Sequence, residues 1–400
     1  MSVDFEKSDQ DFARTLYRWH GILSQPTYRV LEYVKRWGNP LTPHVFDNYS
    51  TKPRELAYRS FGPAALLGAA AYLLMKGSLL KAGLLTAGFV LAIEIGRLAL
   101  HCLAFSQQKK NYIHIRGKAP EVESANPKIM SWNILGLSAG MNYTCGGCIP
   151  FRKRFSEIVD RIKEENPDIV ILQECFMDAS VTEMFVEALK DEYAHFFTHN
   201  GPNRWGIESG LLIITKSPVE SYTFTPFQTD NWTIVRGFAT LKMKAYADRP
   251  DFAVIGTHME AGYAAEDAIK RQQQLAQIHA HAKDLTDVKT VILAGDTNTD
   301  AARDPERKEL EQVLVQFYDK EEEETCTNAL DRIRHPNSKT PLQEWIDQIA
   351  VVKRDEAPDL ILKDFRVIPA YKKEGKIDST TALSDHNILV ATVRLNKTED

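Results

Sequence analysis

Downstream of Asn126 the chain alternates short apolar runs with amphipathic stretches, each run four to ten residues long and rich in Val, Ile and Thr. KIMSWNI, DIVILQE, SGLLIIT, IVRGFATLKM, FAVIGTHM, TVILAGD, DQIAVV and HNILVATVRL are predicted strands. Phe155, Ile158, Val159 and Ile162 recur at helical spacing and predict a helix over 151–165, which Pro167 stops. A second helix is predicted over 266–283. Strands alternating with helices predict an α/β fold of two or more packed layers, with ligands at strand ends.

Upstream the pattern is different. Residues 1–60 are polar to amphipathic, and Gly38, Pro40, Pro43 and Pro53 forbid one long helix. Residues 61–105 are strongly apolar, interrupted by Lys76, Lys81, Glu94 and Arg97. The uncharged run from Ser60 to Met75 falls short of the ~20 residues that cross a bilayer upright. Two tilted spans, or a re-entrant hairpin turning at Lys76-Gly77-Ser78, both fit, and membrane association is expected over a buried helical hairpin. Arg54, Arg59, Lys109 and Lys110 outnumber the positives in the turn, so both ends and the downstream part are expected in the cytoplasm. Residues 106–126 are polar and read as a linker before a catalytic domain over 127–397.

Charge sharpens the division. Residues 1–125 hold 16 Lys and Arg against 10 Asp and Glu, and residues 126–400 hold 33 against 44, so the two parts carry +6 and -11. Gripping a long polyanion needs clustered Lys and Arg. The acidic part disfavours nucleic acid as a partner, and the basic part suits an anionic membrane surface. Five cysteines make no disulfide framework, which points to a reducing compartment. Cys145 and Cys148, in CGGC, have redox or half-zinc spacing but no second pair beside them. Trp205 and Trp232 stand on predicted loops that could reach a membrane interface.

The candidate chemistry lies where polar residues end buried strands. Asn133 follows IMSW, Glu174 follows DIVILQ, His258 follows FAVIGT, Asp296 and Asn298 follow TVILAG, and Asp385-His386 precede NILVATV. Burying such groups costs free energy unless each has a partner. Phosphodiester hydrolysis needs a cation, a base for water and donors for developing charge. Magnesium, or manganese in its place, is satisfied by one or two carboxylates with an amide. Taken singly, the two asparagines read equally as turn residues, His258 as a core histidine and Glu174 as a partner of Arg154. His386 beside Asp385, which could fix its tautomer, is the natural proton-transfer group. Lys216, after SGLLIIT, is a candidate substrate contact.

The order WN, LQE, GTH, GDTN, SDH over residues 126–396 resembles the endonuclease/exonuclease/phosphatase superfamily. That resemblance implies a four-layered α/β/β/α sandwich with its site at one edge. It implies that Glu174 and Asn133 hold the magnesium ion, with Asp296 and His386 beside it. Asp296 and Asn298 would position water and phosphate, His258 would stabilise the transition state, and His386 with Asp385 would act as base or second stabiliser. Asp347 sits where the family has Asp-Tyr, with Gln348 in place of the aromatic. The string GTHMEAG, the following helix with Arg271 and Gln272, and the apolar N-terminal segments look like neutral sphingomyelinases, which implies a phospholipid or sphingolipid substrate at a membrane. A nuclease or phosphoinositide phosphatase on the same fold, and a silent domain serving as a membrane adaptor, are the alternatives.

Overall fold

All the predicted strands form, and both predicted helices are present. A computed structural model describes residues 12–19, 79–136, 148, 151–175, 179–202, 208–228, 234–301, 305–316, 344–371 and 381–396. In chain order the elements are α1 (12–19), α2 (Leu79–Gln107), β1 (Ile113–Arg116), β2 (Lys128–Asn133), α3 (Phe151–Glu165), β3 (Ile169–Gln173) and α4 (Ala179–Leu189). There follow β4 (His195–Thr198), β5 (Leu212–Thr215), β6 (Ser221–Pro226), β7 (Gly237–Met243), β8 (Phe252–His258), α5 (Ala265–Asp284) and β9 (Thr290–Asp296). The last are α6 (Glu306–Val313), β10 (Leu314–Gln316), β11 (Asp347–Val352), β12 (Leu360–Ile368) and β13 (Ile388–Leu395).

Among the described residues the strands make a sheet in the order β1-β4-β5-β3-β2-β13-β12 and a second in the order β10-β11-β9-β8-β7-β6. The period of two along each strand explains why the strand sequences are continuously apolar. Met130, Trp132, Val170 and Leu172 face α3 and α4, packing with Ile158, Ile162, Phe185 and Leu189. Their neighbours Ile129, Ile169 and Ile171 face the other sheet, packing with Leu241, Val254, Ile292 and Ala294. On its far face that second sheet covers Ile255, Val291 and Leu293 with Leu275, Ile278 and Ala282 of α5. Strands buried on both faces cannot alternate with polar residues, and helices on both outer faces close four layers. Gly256 lets the sheets approach: a Cβ there would stand 2.9 Å from Ile213 Cδ1.

One N-terminal expectation changes, and another falls largely outside the described residues. The segment 106–126 is more than a linker, because it supplies β1, whose Ile113–Arg116 pair with Thr198–His195 of β4 at the sheet edge. Of the expected hairpin, residues 61–78 and its turn lie outside the described residues, and the second arm is the helix α2, continuing to Gln107. Among the described residues no helix is long and apolar enough to cross a membrane. One face of α2 packs on the body through Leu100 and Ala104, together with Ala13, Leu16 and Tyr17 of α1. The opposite face leaves Leu91, Ile95 and Leu98 exposed, and Leu103, nearer the packed side, is exposed as well. Helix α1 is pinned by Arg14 Nε donating to Glu183 Oε1 at 2.8 Å and by Tyr17 stacking on His199 with ring centres 4.1 Å apart.

Candidate active site

Strand register assembles the site. In the parallel pair β8–β9, His258 stands opposite Asp296, and in the antiparallel pair β9–β11 Asp347 stands opposite the same Asp296. In the other sheet β2 and β3 run parallel with Asn133 opposite Gln173, which places Glu174 one residue beyond. Strand β13 runs antiparallel to β2 with Leu389 opposite Ser131, so the residues before it, Asp385 and His386, start from the same edge. Residues 250 apart in sequence thereby share one end of the sandwich. The local backbone is unusual there: Glu174 has φ 58° and Asn298 φ 49°, left-handed conformations that cost roughly 1 kcal/mol or more for a non-glycine residue. Gly295, with φ 152°, has Thr257 O where a Cβ would be, so only glycine delivers Asp296 at this register.

Asp296 is the centre. Its Oδ1 accepts from the Asn298 N–H at 2.9 Å, and its Oδ2 accepts from Asn133 Nδ2 at 3.0 Å. The same Asn133 nitrogen donates to Glu174 Oε1 at 3.1 Å, while Asn133 Oδ1 is taken by the Leu135 N–H at 3.1 Å. In this arrangement Asn133 turns its amide nitrogen toward both carboxylates and its oxygen toward the Leu135 N–H. Burial, then the charge of Asp385, pushes Glu174 up to about 7. Burial, then the charge of Asp347, pushes Asp296 up to about 7. A neutral amide cannot offset two enclosed carboxylates.

His386 has a different orienting partner from the one expected. Its Nδ1 lies 2.7 Å from Asp347 Oδ2 and its Nε2 lies 3.9 Å from Asp296 Oδ2. Burial works against its charged form, but Asp347, Asp296 and Asp385 outweigh that and hold it well above the ordinary histidine value. Asp385, its neighbour in sequence, instead has its Oδ1 3.4 Å from Ser384 Oγ. The physical reason is the strand register, which brings Asp347 across from Asp296. His258 Nε2 lies 3.6 Å from Asp296 Oδ2. Burial, with Arg236 and His386 nearby, holds His258 well below the ordinary value, so its ring is neutral.

Of the expected site residues, Asn133, Glu174, His258, Asp296, Asn298, Asp385 and His386 come together. Lys216 does not. Thr215 pairs with Ile169 at the start of β3, whereas Glu174 follows its end, roughly 16 Å away at ~3.3 Å per residue. There Lys216 Nζ donates to Asn166 Oδ1 and lies 5.0 Å from the Tyr193 ring centre. Arg154, read as a partner of Glu174, donates to the carbonyls of Ile134, Leu135 and Leu383 and lies within the field of the Glu174 charge. Cys148 is buried with its thiol pushed up to about 12, unsuited to thiolate chemistry, and Cys145, Trp205 and Trp232 lie outside the described residues. Two supporting residues were not singled out. Ser384 Oγ donates to Asn133 O at 2.5 Å, and Arg236 Nη1 donates to Met259 O at 2.6 Å, a carbonyl that also accepts from Asn298 Nδ2 at 3.2 Å. The signal for Arg236 was a charge inside the apolar run IVRGF.

The sequence model of the Endonuclease/Exonuclease/phosphatase family matches residues 130–386, from β2 to His386. The chain belongs to this family. It is thus a phosphodiesterase of the metal-dependent phosphoric ester hydrolases. A search of curated protein sequences finds no match. Among solved structures, a mutant beta toxin from Staphylococcus aureus with bound magnesium ions is 21% identical, covering 66% of this chain and 99% of its own, with a TM-score of 0.50. Humanized TDP2 from D. rerio is 19% identical over 68% of this chain and 100% of its own, also at 0.50. Sphingomyelinase C from Streptomyces griseocarneus is 19% identical over 67% and 99%, at 0.47.

The residues present suit the divalent cation of the family. Glu174 and Asp296 supply hard anionic oxygens on either side of one amide, the ligand type a hard divalent cation takes. Atoms of Asp296, Asp347 and His386 also lie within 4.8 Å of one another, a second grouping able to share an ion.

Proposed function

We propose that this phosphodiesterase acts on a membrane phospholipid, with sphingomyelin, cleaved to ceramide and phosphocholine, as the substrate of first choice and magnesium as its ion. The observation that carries this reading is the apolar face of α2, where Leu91, Ile95 and Leu98 are exposed while the other face packs on the catalytic body. A helix facing water carries polar residues there. Together with the net charge of -11 over residues 126–400, this favours a lipid surface over a nucleic acid. We place the chain at the cytoplasmic face of a membrane on the excess of positive residues flanking the apolar segment. Magnesium is supported by the all-oxygen pair Glu174 and Asp296 and by the magnesium ions bound in the beta toxin of the same fold.

In this reading Glu174 and Asp296 hold the ion. A divalent ion held there would supply Lewis-acid neutralisation of phosphate charge. Asn133 fixes the spacing of the two carboxylates, and Asn298 holds Asp296 Oδ1 through its N–H while its side chain is aimed by Met259 O. Asp296 Oδ2, between His258 and His386, is the acceptor for the water proton. His386, paired with Asp347, is the cation that donates to the charge developing on phosphate, and neutral His258 donates the second hydrogen bond.

The test is hydrolysis by the purified chain of labelled sphingomyelin, a phosphoinositide and DNA side by side, with magnesium and with EDTA. Magnesium-dependent release of phosphocholine is expected. Turnover of DNA or phosphoinositide with sphingomyelin untouched would defeat the lipid assignment.

A further inference from the structure

The most enclosed cation among the described residues does not touch the reacting groups. Arg154, on α3, has no exposed surface, and a guanidinium so buried must have its donors satisfied. Its Nη1 donates to Ile134 O at 2.6 Å and to Leu383 O, and its Nη2 donates to Leu135 O. Its accepting carbonyls come from two loops: the exit of β2, just after Asn133, and the turn before Asp385-His386. The stack of Arg154 on Phe151, 5.5 Å from the ring centre, fixes the plane of the fork.

Each loop is wired to a site side chain. Ile134 N donates to Gln173 O at 3.2 Å and Gly136 N donates to Glu174 O at 3.0 Å, so the β2 exit carries the backbone of Glu174 with it. Leu135, whose carbonyl Arg154 holds, has φ 46° beside Glu174 at φ 58°. A Cβ on Gly136 would stand 2.3 Å from Glu174 O, so the two loops are in direct apposition. On the other side, Ser384, next to Leu383, donates to Asn133 O and accepts from the His386 N–H at 3.2 Å. Removing Arg154 would leave buried carbonyls that no apolar side chain can satisfy, and one ammonium cannot span both loops.

We propose that Arg154 is a positioning residue of the active site, clamping the β2 exit, to which the Glu174 backbone is hydrogen-bonded, to the loop that carries His386 and so setting the ion site's geometry. This rests on the ion site proposed above. Outer groups that orient ligands change metal affinity by about 10- to 100-fold.

The test uses the full chain as wild type, Arg154→Lys and Arg154→Met, titrated with Mn2+ by calorimetry at a temperature where circular dichroism shows all three folded. Arg154→Met is expected to weaken ion binding by about 10- to 100-fold, with kcat falling and KM for substrate little changed, and Arg154→Lys to lie between. A lower melting temperature with an unchanged Kd for Mn2+ would overturn the inference, showing a packing role only. Failure of both variants to fold would overturn it as well. If the wild type binds no ion, the proposed ion site fails first, and that result is distinct from equal binding by all three.

Discussion

Asp347 Oδ2 accepts a hydrogen bond from His386 Nδ1 at 2.7 Å, both side chains buried, and this fixes which ring nitrogen faces Asp296. Replacing the carboxylate in Asp347→Asn removes the charge that holds the ring protonated. We expect kcat to fall by about 100-fold or more. The limb of the pH–rate profile that reports loss of the imidazolium proton should move to lower pH, because Asp347 raises the affinity of His386 for that proton. Steady-state kinetics across pH checks both; Asp385→Asn should shift that limb less.

Asp296 and Glu174 bind protons more tightly in the folded chain than in the unfolded one, reaching about 7 without a metal ion. The folded state therefore holds more protons as pH rises from about 4 to about 7, and stability falls across that window. Mg2+, which binds the deprotonated pair, should raise the melting temperature more at pH 8 than at pH 5. Asp296→Asn should abolish turnover, raise the ion-free melting temperature at pH 8 and cancel most of the Mg2+ effect. Differential scanning fluorimetry with and without EDTA measures all three.

At the far sheet edge, His114 Nε2 lies 2.9 Å from His195 Nδ1, and His195 Nε2 lies 3.0 Å from Glu121 Oε1. Burial, then the neighbouring His195, Arg116 and Lys110, holds His114 down at about 3. The unfolded chain takes up this proton near pH 6.5 and the folded chain near 3, so stability is intact above about 6.5 and lost as pH falls toward 3. His114→Asn should flatten that acid limb, by up to about 1.4 kcal/mol per pH unit where one proton separates the two states. Urea unfolding at several pH values checks it.

The exposed leucines of α2 give the lipid reading a separate test. Burying each such side chain is worth about 1.5–3 kcal/mol, so a triple change of Leu91, Ile95 and Leu98 to Glu should reduce vesicle binding by at least about 100-fold. Cleavage of a soluble phosphodiester should be unaffected, since α2 contributes no group to the site. Flotation with liposomes and a parallel soluble assay separate the two; undiminished flotation would reject this face as the contact.

The catalytic core was legible from the sequence because its strands are buried on both faces and each ends in a polar residue that burial would otherwise penalise. Asn133, Glu174, His258, Asp296, Asn298 and His386 were all found that way. The strands that escaped notice are short, like HFFT, or carry charges on a half-exposed surface, like LILKDFRVI. Segment 106–126 read as polar although four of its residues complete a sheet. What a one-dimensional pattern cannot carry is which residue faces which. Lys216 followed a strand as the clustered candidates do, but its strand runs antiparallel to β3 and delivers it to the opposite end. Asp385 was adjacent to His386 along the chain, yet pairing of β11 with β9 brought Asp347 to the ring. Composition and spacing determined the fold class and the kinds of groups at the site, because burial and periodicity act residue by residue. The partners of those groups were decided only by strand direction and register, which are properties of the assembled sheets.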